Sequence, residues 1–279
     1  MNERADAHIH LFEGGYRGSW TGRPGVDLDE AACYESLASE HGVRAALIVG
    51  YADRPWCADN NAWIAEQARA YRWARPLAYA DPERGFDVAD LERWQTEGFH
   101  GLSMYITAGP RARALASVPD AVWGWLEERR WFVSVNSQGE LWRAWEGVLR
   151  RHGSLLLLAS HLGLPQRVRR PPDPQQAAEA LGPVLALAAY PGPRVKLSGF
   201  YALTDPGFEY PHRAAWPYVR ALLERYGAGR LLWASDYTPC LDQVTFPQTY
   251  ALFGQMGFLG EAERHAIEGG NLLALLGEE

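Results

Sequence analysis

With 279 residues, 47% of them hydrophobic, the chain is long enough to bury one sizeable core, and residues 1–279 are read as a single domain. Its formal net charge of −7, with no basic stretch interleaved with aromatic residues, argues against a nucleic-acid partner. No apolar run approaches the roughly 20 residues needed to span a membrane. Cys33, Cys57 and Cys240 are widely spaced and odd in number, which suits reduced thiols. The charged N-terminus runs straight into a strand-like segment without the apolar stretch of a signal peptide, so a cytoplasmic protein is expected.

Strand-like and helix-like segments alternate along the chain. The first predicted strand, Ala5–His10, is followed by a helix over Leu28–Glu40 with a glycine cap at Gly42. Strand Arg44–Val49 precedes helix Ala58–Trp73, and strand Pro76–Ala80 precedes helix Val88–Glu97, capped at Gly98. Strand Gly101–Tyr105 leads to helix Asp120–Arg130, and strand Phe132–Asn136 to helix Glu140–Arg151, with a cap at Gly153. Strand Leu155–Ser160 leads to helix Gln175–Ala189, and strand Arg194–Ser198 to helix His212–Tyr226, with a cap at Gly227. Strand Leu231–Ser235 and helix Glu261–Leu276 complete the series.

Eight such units in one domain predict an α/β fold, a (β/α)8 TIM barrel. A doubly wound sheet would normally carry a GxGxxG loop after its first strand, and Gly14-Gly15-Tyr-Arg-Gly18 does not match that pattern. Loop lengths agree with a barrel. Helix-to-strand connections such as His41-Gly42 and Arg151-His-Gly153 are tight. Strand-to-helix connections such as Leu11–Asp27, Leu162–Pro174, Gly199–Pro211 and Tyr237–Pro247 are long, and these gather at the C-terminal face, where barrel active sites form. The long loops are rich in aromatics: Phe12, Tyr16, Trp20, Phe200, Tyr201, Phe208, Tyr210, Tyr237 and Phe246. They either roof a pocket for a flat ligand or pack the loops onto the barrel.

The candidate chemistry sits at strand ends. Alternation places His8 and His10 on one face of the first strand, with Asp6 one layer below them and all three facing the barrel interior. His161 opens the long loop after the sixth strand, and Asp236 ends the eighth at the same level. Polar groups in an interior that is usually aliphatic are costly unless paired or ligated. Three imidazoles and a carboxylate there suit hydrolysis or a divalent metal. His41, His100 and His152 each precede a glycine at a tight turn on the opposite face and are given no such role. Lys196, the only lysine, faces inward with Ser198 and is expected to join Asp6 in a buried ionic network beneath the site. Arg167, Arg169 and Arg170, followed by prolines, read as a solvated loop.

Asp6-Ala-His-Ile-His10, Gly101-Leu-Ser-Met-Tyr105, Ser160-His-Leu-Gly163, Val195-Lys-Leu-Ser-Gly199, Ala234-Ser-Asp-Tyr237 and Gly270-Asn271-Leu-Leu together resemble the amidohydrolase-related branch of the amidohydrolase superfamily, over nearly the whole chain. The Lys-Leu-Ser-Gly and His-Leu-Gly elements resemble its lactonase-type subgroup, which includes pyrone-dicarboxylate lactonase and sugar lactonases. The resemblance implies a (β/α)8 barrel and hydrolysis by water, with Asp236 as general base and His8, His10 and His161 around the carbonyl or a metal. Two departures stand out. Asn136 occupies the place where metal-dependent relatives often carry a histidine after the fifth strand, and Ser103 the place where relatives often carry an arginine.

The expected function is therefore lactonase-type hydrolysis of a small cyclic ester or carboxylate. His8, His10, His161 and Asp236 act with or without one divalent ion, Zn²⁺ or Mn²⁺. Arg111 and Arg113 either hold a substrate carboxylate or lie in a solvated loop, and Tyr105, Asn136, Ser198 and Tyr201 complete the candidate substrate site. The alternatives are a metal-dependent decarboxylase of an aromatic or muconate-like acid and a non-catalytic barrel that binds a small acid. The 12 tryptophans are compatible with a homo-oligomer interface or with burial between helices and strands.

Overall fold

A computed structural model describes residues 3–17 and 28–278. Eight parallel strands run in the order β1 to β8: β1 (Arg4–Ile9), β2 (Val43–Val49), β3 (Ala74–Tyr79), β4 (Gly101–Ile106), β5 (Phe132–Ser137), β6 (Leu156–Ala159), β7 (Arg194–Leu197) and β8 (Leu231–Trp233). Helices lie between them, making a (β/α)8 TIM barrel in a single domain. Each predicted strand is present within two residues at either end. Among the described residues no helix is long and apolar enough to cross a membrane.

The strands are buried on both faces, as a parallel sheet covered by helices requires. One face packs outward: Ile48, Ala78, Met104, Val133, Val135, Leu157, Val195 and Trp233 share a core with helix residues such as Ile64, Leu91, Val122 and Leu222. The other forms the interior, where Ala5, Ala7, Leu47, Leu77, Phe132, Leu158 and Leu232 pack together with Leu272 and Leu273 of the last helix.

The helices depart from the predicted lengths for local reasons. The Gln175–Ala189 pattern is split into Pro174–Ala180 and Gly182–Leu187, because Pro183 has no N–H to continue a helix. The Glu140–Arg151 pattern begins as a 3₁₀ helix over Gly139–Trp145, which brings Trp142 and Trp145, three residues apart and both fully buried, onto one side. The Glu261–Leu276 pattern contains a π turn at Ala266–Gly270, where Gly269 lies so close to β1 that a Cβ would stand 2.5 Å from the Glu3 carbonyl oxygen. Gly42 and Gly98 are left-handed caps as expected, whereas Gly153 keeps a negative φ.

The first strand corrects the sequence reading. Between Asp6 and Ile9, three steps along β1 match two along β2 (Ala46 to Ile48), so β1 carries a bulge. Ala5 and Ala7 face the interior, and Asp6 therefore points outward. Its Oδ2 accepts from the hydroxyl of Tyr34 (3.1 Å), on the helix Glu30–His41. Its Oδ1 accepts from the backbone N–H of His8 (3.1 Å) and of Ser235 (2.9 Å). The bulge then returns His8 and His10 to the interior. Asp6 is not a layer below His8, and its contacts are backbone amides and a tyrosine in place of the expected Lys196. The barrel closes here: Asp236 N–H donates to the His8 carbonyl (2.9 Å), and Ile9 bridges to Tyr237.

Truncating Asp6 to alanine leaves two buried N–H groups without acceptors, and the expected loss is about 2–5 kcal/mol in urea denaturation. Burial holds the Asp6 carboxyl up at about 6 despite its hydrogen bonds from Ser235, His8 and Tyr34. The fold thus favours protonated Asp6, a contribution present at acid pH and lost as pH rises through about 6. Asp6→Asn, which cannot ionise, is expected to show a shallower fall in stability between pH 4 and 7 than the wild type.

Candidate active site

His8, His10, His161 and Asp236 converge at the C-terminal mouth of the barrel. The Nε2 atoms of His8 and His10 are 2.9 Å apart, and they lie 3.7 and 3.9 Å from Asp236 Oδ1. The His8 and His161 rings are 4.8 Å apart, centre to centre. His8, His161 and Asp236 each offer a ligand atom within 4.8 Å of the others, a set suited to one divalent ion. His161 and Asp236 adopt positive φ, 55° and 61°. That conformation costs a non-glycine residue roughly 1–2 kcal/mol, strain of the kind that collects where a side chain is aimed for function.

Each imidazole is held through its second nitrogen. His10 Nδ1 lies 2.8 Å from the Val49 carbonyl oxygen, so that nitrogen carries the proton and Nε2 points inward with its lone pair. His161 Nδ1 pairs with Ser198 Oγ at 2.9 Å. His8 Nδ1 lies 3.2 Å from Lys196 Nζ and 3.3 Å from Ser160 Oγ. Lys196, fully buried, also donates to Ser134 Oγ at 2.7 Å. The expected Lys196–Asp6 network is thus replaced by a Ser134–Lys196–His8 chain, because the β1 bulge turns Asp6 away.

Burial governs the charge states. It pushes His10 down to about 4 and His161 to about 3, the latter helped by the Lys196 charge. His8 is held well below the usual histidine range by burial and by Lys196, His10 and His161. Burial also lowers Lys196 to about 7, against the pull of Asp6 and Asp236. Asp236 is raised above the ordinary carboxylate range by burial, although His10, the Tyr201 hydroxyl and Lys196 favour its ionised form. Tyr201 donates to Asp236 Oδ2 at 2.5 Å, and the Tyr105 hydroxyl stands 3.4 Å from His10 Nε2. Burial keeps both phenols protonated.

A cavity of about 410 Å³ opens over the cluster, lined by His10, Phe12, Tyr16, Arg17, Tyr51, Arg54, Trp56, Tyr105, Asn136, His161, Asp236 and Pro239. Asn136 and Tyr105 therefore face it as expected, while Ser198 and Tyr201 support His161 and Asp236 from behind. The two arginines named from the sequence are elsewhere. Arg111 grips Asp53 with both terminal nitrogens (3.0 and 2.6 Å) and reaches Asp81 and Glu83, both at 3.4 Å. Arg113 is exposed and outside the lining. Among the loop aromatics, Phe12 and Tyr16 line the cavity, whereas Phe200, Tyr237 and Phe246 pack in the core and Phe208 is exposed. Trp20 lies outside the described residues. Sequence reasoning passed over Arg17, Tyr51, Arg54 and Trp56, although the stretch 50–59 is another strand-to-helix loop with aromatic and basic residues. His41 and His152 bond Tyr250 and the acids Asp120 and Glu127, away from the mouth.

Gly199 supports the cluster from below. Its φ is +65°, and a Cβ there would stand 2.8 Å from His161 Nδ1, the atom paired with Ser198. Gly199→Ala is expected to strain the backbone by about 1 kcal/mol and to displace the His161 ring. The ¹⁵N resonances of His161 should shift while those of His152 stay in place. Unchanged His161 signals would refute this contact.

Comparison with known proteins is consistent with this geometry. The chain superposes on an amidohydrolase from Burkholderia multivorans with bound zinc, with a TM-score of 0.73 and 20% identity over 99% of each chain. It also superposes on a probable 2-pyrone-4,6-dicarboxylic acid hydrolase from Acinetobacter baumannii with citric acid bound, with a TM-score of 0.70 and 19% identity over 99% of this chain and 100% of that one. A 2,6-dihydroxybenzoate decarboxylase from Rhizobium follows at a TM-score of 0.60 and 15% identity over 99% of each chain. At these identities the likeness establishes the fold alone. No curated protein matches the chain significantly. The Amidohydrolase family model (Amidohydro_2) matches residues 5–277, and the chain belongs to that family.

Proposed function

We propose that this amidohydrolase is a lactonase-type hydrolase of small cyclic esters, with Asp236 as general base. The observation that carries the reading is the meeting of one carboxylate, raised above its ordinary range, with three uncharged imidazoles, of which His10 and His161 line a cavity sized for a small molecule and His8 is buried beside them. Tyr201 holds Oδ2, which leaves Oδ1 turned toward His8 and His10 and available to take a proton from water. A carboxylate whose proton affinity is raised by burial is a stronger base than a free aspartate. The protonated Tyr105 hydroxyl supplies a hydrogen-bond donor for the oxygen that gains charge as the carbonyl is attacked, whereas His10, whose Nε2 carries a lone pair, can only accept there. Because the site is buried, such donors act in a low dielectric and count for more than they do in water.

His8, His161 and Asp236 also fit a single divalent ion, Zn²⁺ or Mn²⁺. Bound there, the ion would polarise the carbonyl as a Lewis acid and lower the pKa of coordinated water. The contacts of His10 Nδ1 with Val49 and of His161 Nδ1 with Ser198 are of the kind that orient imidazoles toward a metal. Asn136, an amide at the end of β5, adds no imidazole to this set.

Asp236→Asn is expected to fold normally and to lose about 10²- to 10⁴-fold in kcat/KM on any lactone the wild type hydrolyses. Full activity in that variant would sink the mechanism. The acid limb of the wild-type pH profile should lie above the ordinary aspartate value of 3.8, with activity falling as Asp236 takes up its proton. Because His10 and His161 are held at about 4 and 3, no limb should arise from a histidine near 6.5. Plasma mass spectrometry on protein purified without chelators separates the two forms of the reading. About one ion per chain, lost in a His8→Ala/His161→Ala variant, assigns the metal to this cluster. An active, metal-free protein assigns carbonyl polarisation to the side chains alone.

A further inference from the structure

The two histidines of the first strand are joined by a hydrogen bond whose direction is fixed from both ends. His10 Nδ1 lies 2.8 Å from the Val49 carbonyl oxygen, which only accepts, so that nitrogen carries the proton. Burial holds His10 down to about 4, so its ring has a single N–H and Nε2 is bare. His8 Nε2 stands 2.9 Å from this bare nitrogen. Without an ion between them, two lone pairs repel at that distance. His8 therefore carries its proton on Nε2 and donates it to His10.

His8 Nδ1 is left to accept. It lies 3.2 Å from Lys196 Nζ and 3.3 Å from Ser160 Oγ. Nζ also donates to Ser134 Oγ at 2.7 Å. An ammonium has three N–H groups and an amine two, so Nζ serves both partners in either charge state. The donors then all run one way, from Lys196 through His8 and His10 to the Val49 carbonyl, and both Lys196 and His8 are fully buried. A lysine amine in a barrel interior costs more than the aliphatic side chain usual there, so this one has a use beyond filling space. Ligation of a metal by His8 Nε2 demands the other tautomer, because the ligand is the bare nitrogen. The proton would then sit on Nδ1. A ligating imidazole normally gives its second N–H to a carboxylate, a carbonyl or water. His10 meets that condition through Val49, and His161 faces the hydroxyl of Ser198, which can accept. His8 instead faces an amine whose hydrogens point at it, and its one acceptor is Ser160 Oγ.

We propose that Lys196 is a positioning residue that holds His8 in the Nε2–H tautomer, which makes His8 a hydrogen-bond donor to His10 and a poor metal ligand. Ser160 is the counterweight, since its hydroxyl alone can accept from an Nδ1–H. The strength of metal binding in the cluster is thus set from the layer beneath it, by groups that touch neither ion nor substrate. This inference rests on the proposed function only in taking the cluster as the reacting site. The tautomer and the metal affinity do not depend on lactone chemistry.

Long-range ¹H–¹⁵N correlation spectra of the full chain, after removal of metal with a chelator, should show His8 with a protonated Nε2 and an accepting Nδ1. In Lys196→Met the His8 Nδ1 resonance should move downfield as its donor is lost, while the His152 resonances stay in place. Zinc affinity, measured by competition with a chromophoric chelator, should tighten about tenfold or more in that variant. Ser160→Ala alters no charge, and it should weaken zinc binding by about tenfold because an Nδ1–H then has no acceptor. Circular dichroism checks the fold of each variant, and if Lys196→Met does not fold, the wild-type spectrum and Ser160→Ala decide. A metal-free wild type with its His8 proton on Nδ1, a zinc affinity in folded Lys196→Met no tighter than in the wild type, or one left unchanged by Ser160→Ala would each overturn the proposal. A wild type that hydrolyses no lactone, with the tautomer and both affinity changes as expected, would overturn the lactonase reading alone.

Discussion

The carboxylate of Asp6 is the contact on which the active end of this barrel depends. Where β1 bulges against β2, beside the seam with β8, Asp6 Oδ1 takes the place of a backbone carbonyl for the N–H groups of His8 and Ser235. One side chain thereby closes the barrel, kinks the first strand and directs His8 and His10 into the mouth. Asp236 follows Ser235 directly, so the same carboxylate places the residue from which Asp236 departs into its positive-φ conformation. Packing of Tyr34 against Asp6 extends this support to the first helix. A bulge next to a functional cluster is a common device for re-aiming a side chain, and here it re-aims two.

Burial then determines what the cluster can do. Histidines in water are poised near neutrality, but in this mouth desolvation and a buried lysine keep all three uncharged. The carboxylate is driven the other way, toward holding its proton. A carboxylate with raised proton affinity beside uncharged imidazoles can take up a proton without leaving a trapped charge. Lys196 anchors the layer beneath through Ser134 and His8, and as the sole lysine of the chain it stands where no solvent reaches. Ser160, Ser198 and Lys196 orient rings and do not line the cavity.

The mouth is divided by chemistry. Loops after the first strands bring rings and arginines, held by the buried side chains of Glu30 and Asn60, while β5, β6 and β8 bring the amide, imidazole and carboxylate. On the proposed function, this division would separate binding from reaction, as in barrels whose loops vary while their strand ends hold the chemistry. Arg111 shows how position overrides residue type. It is surrounded by Asp53, Asp81 and Glu83 and serves to join the loops after β2, β3 and β4.

What the sequence determined by itself was the alternation of eight strands with helices, the long loops at one end, and the His8, His10, His161 and Asp236 set at strand ends. Those features are periodic and local: burial on both faces makes strands read as apolar runs, and tight turns read as glycines. The helix breaks at Pro183 and at the Trp142–Trp145 pair follow from residue chemistry that was visible but outweighed by the helical pattern. Tertiary structure decided the rest. The facing of Asp6 depends on a bulge that strict alternation cannot reveal, since one inserted residue reverses every side chain after it. Which arginines face the cavity depends on where acids from the loops after β2 and β3 meet, and this is why Arg111 is occupied while Arg17 and Arg54 face the mouth. Such long-range pairing is set by how the loops pack on the barrel, and no window of the sequence contains it.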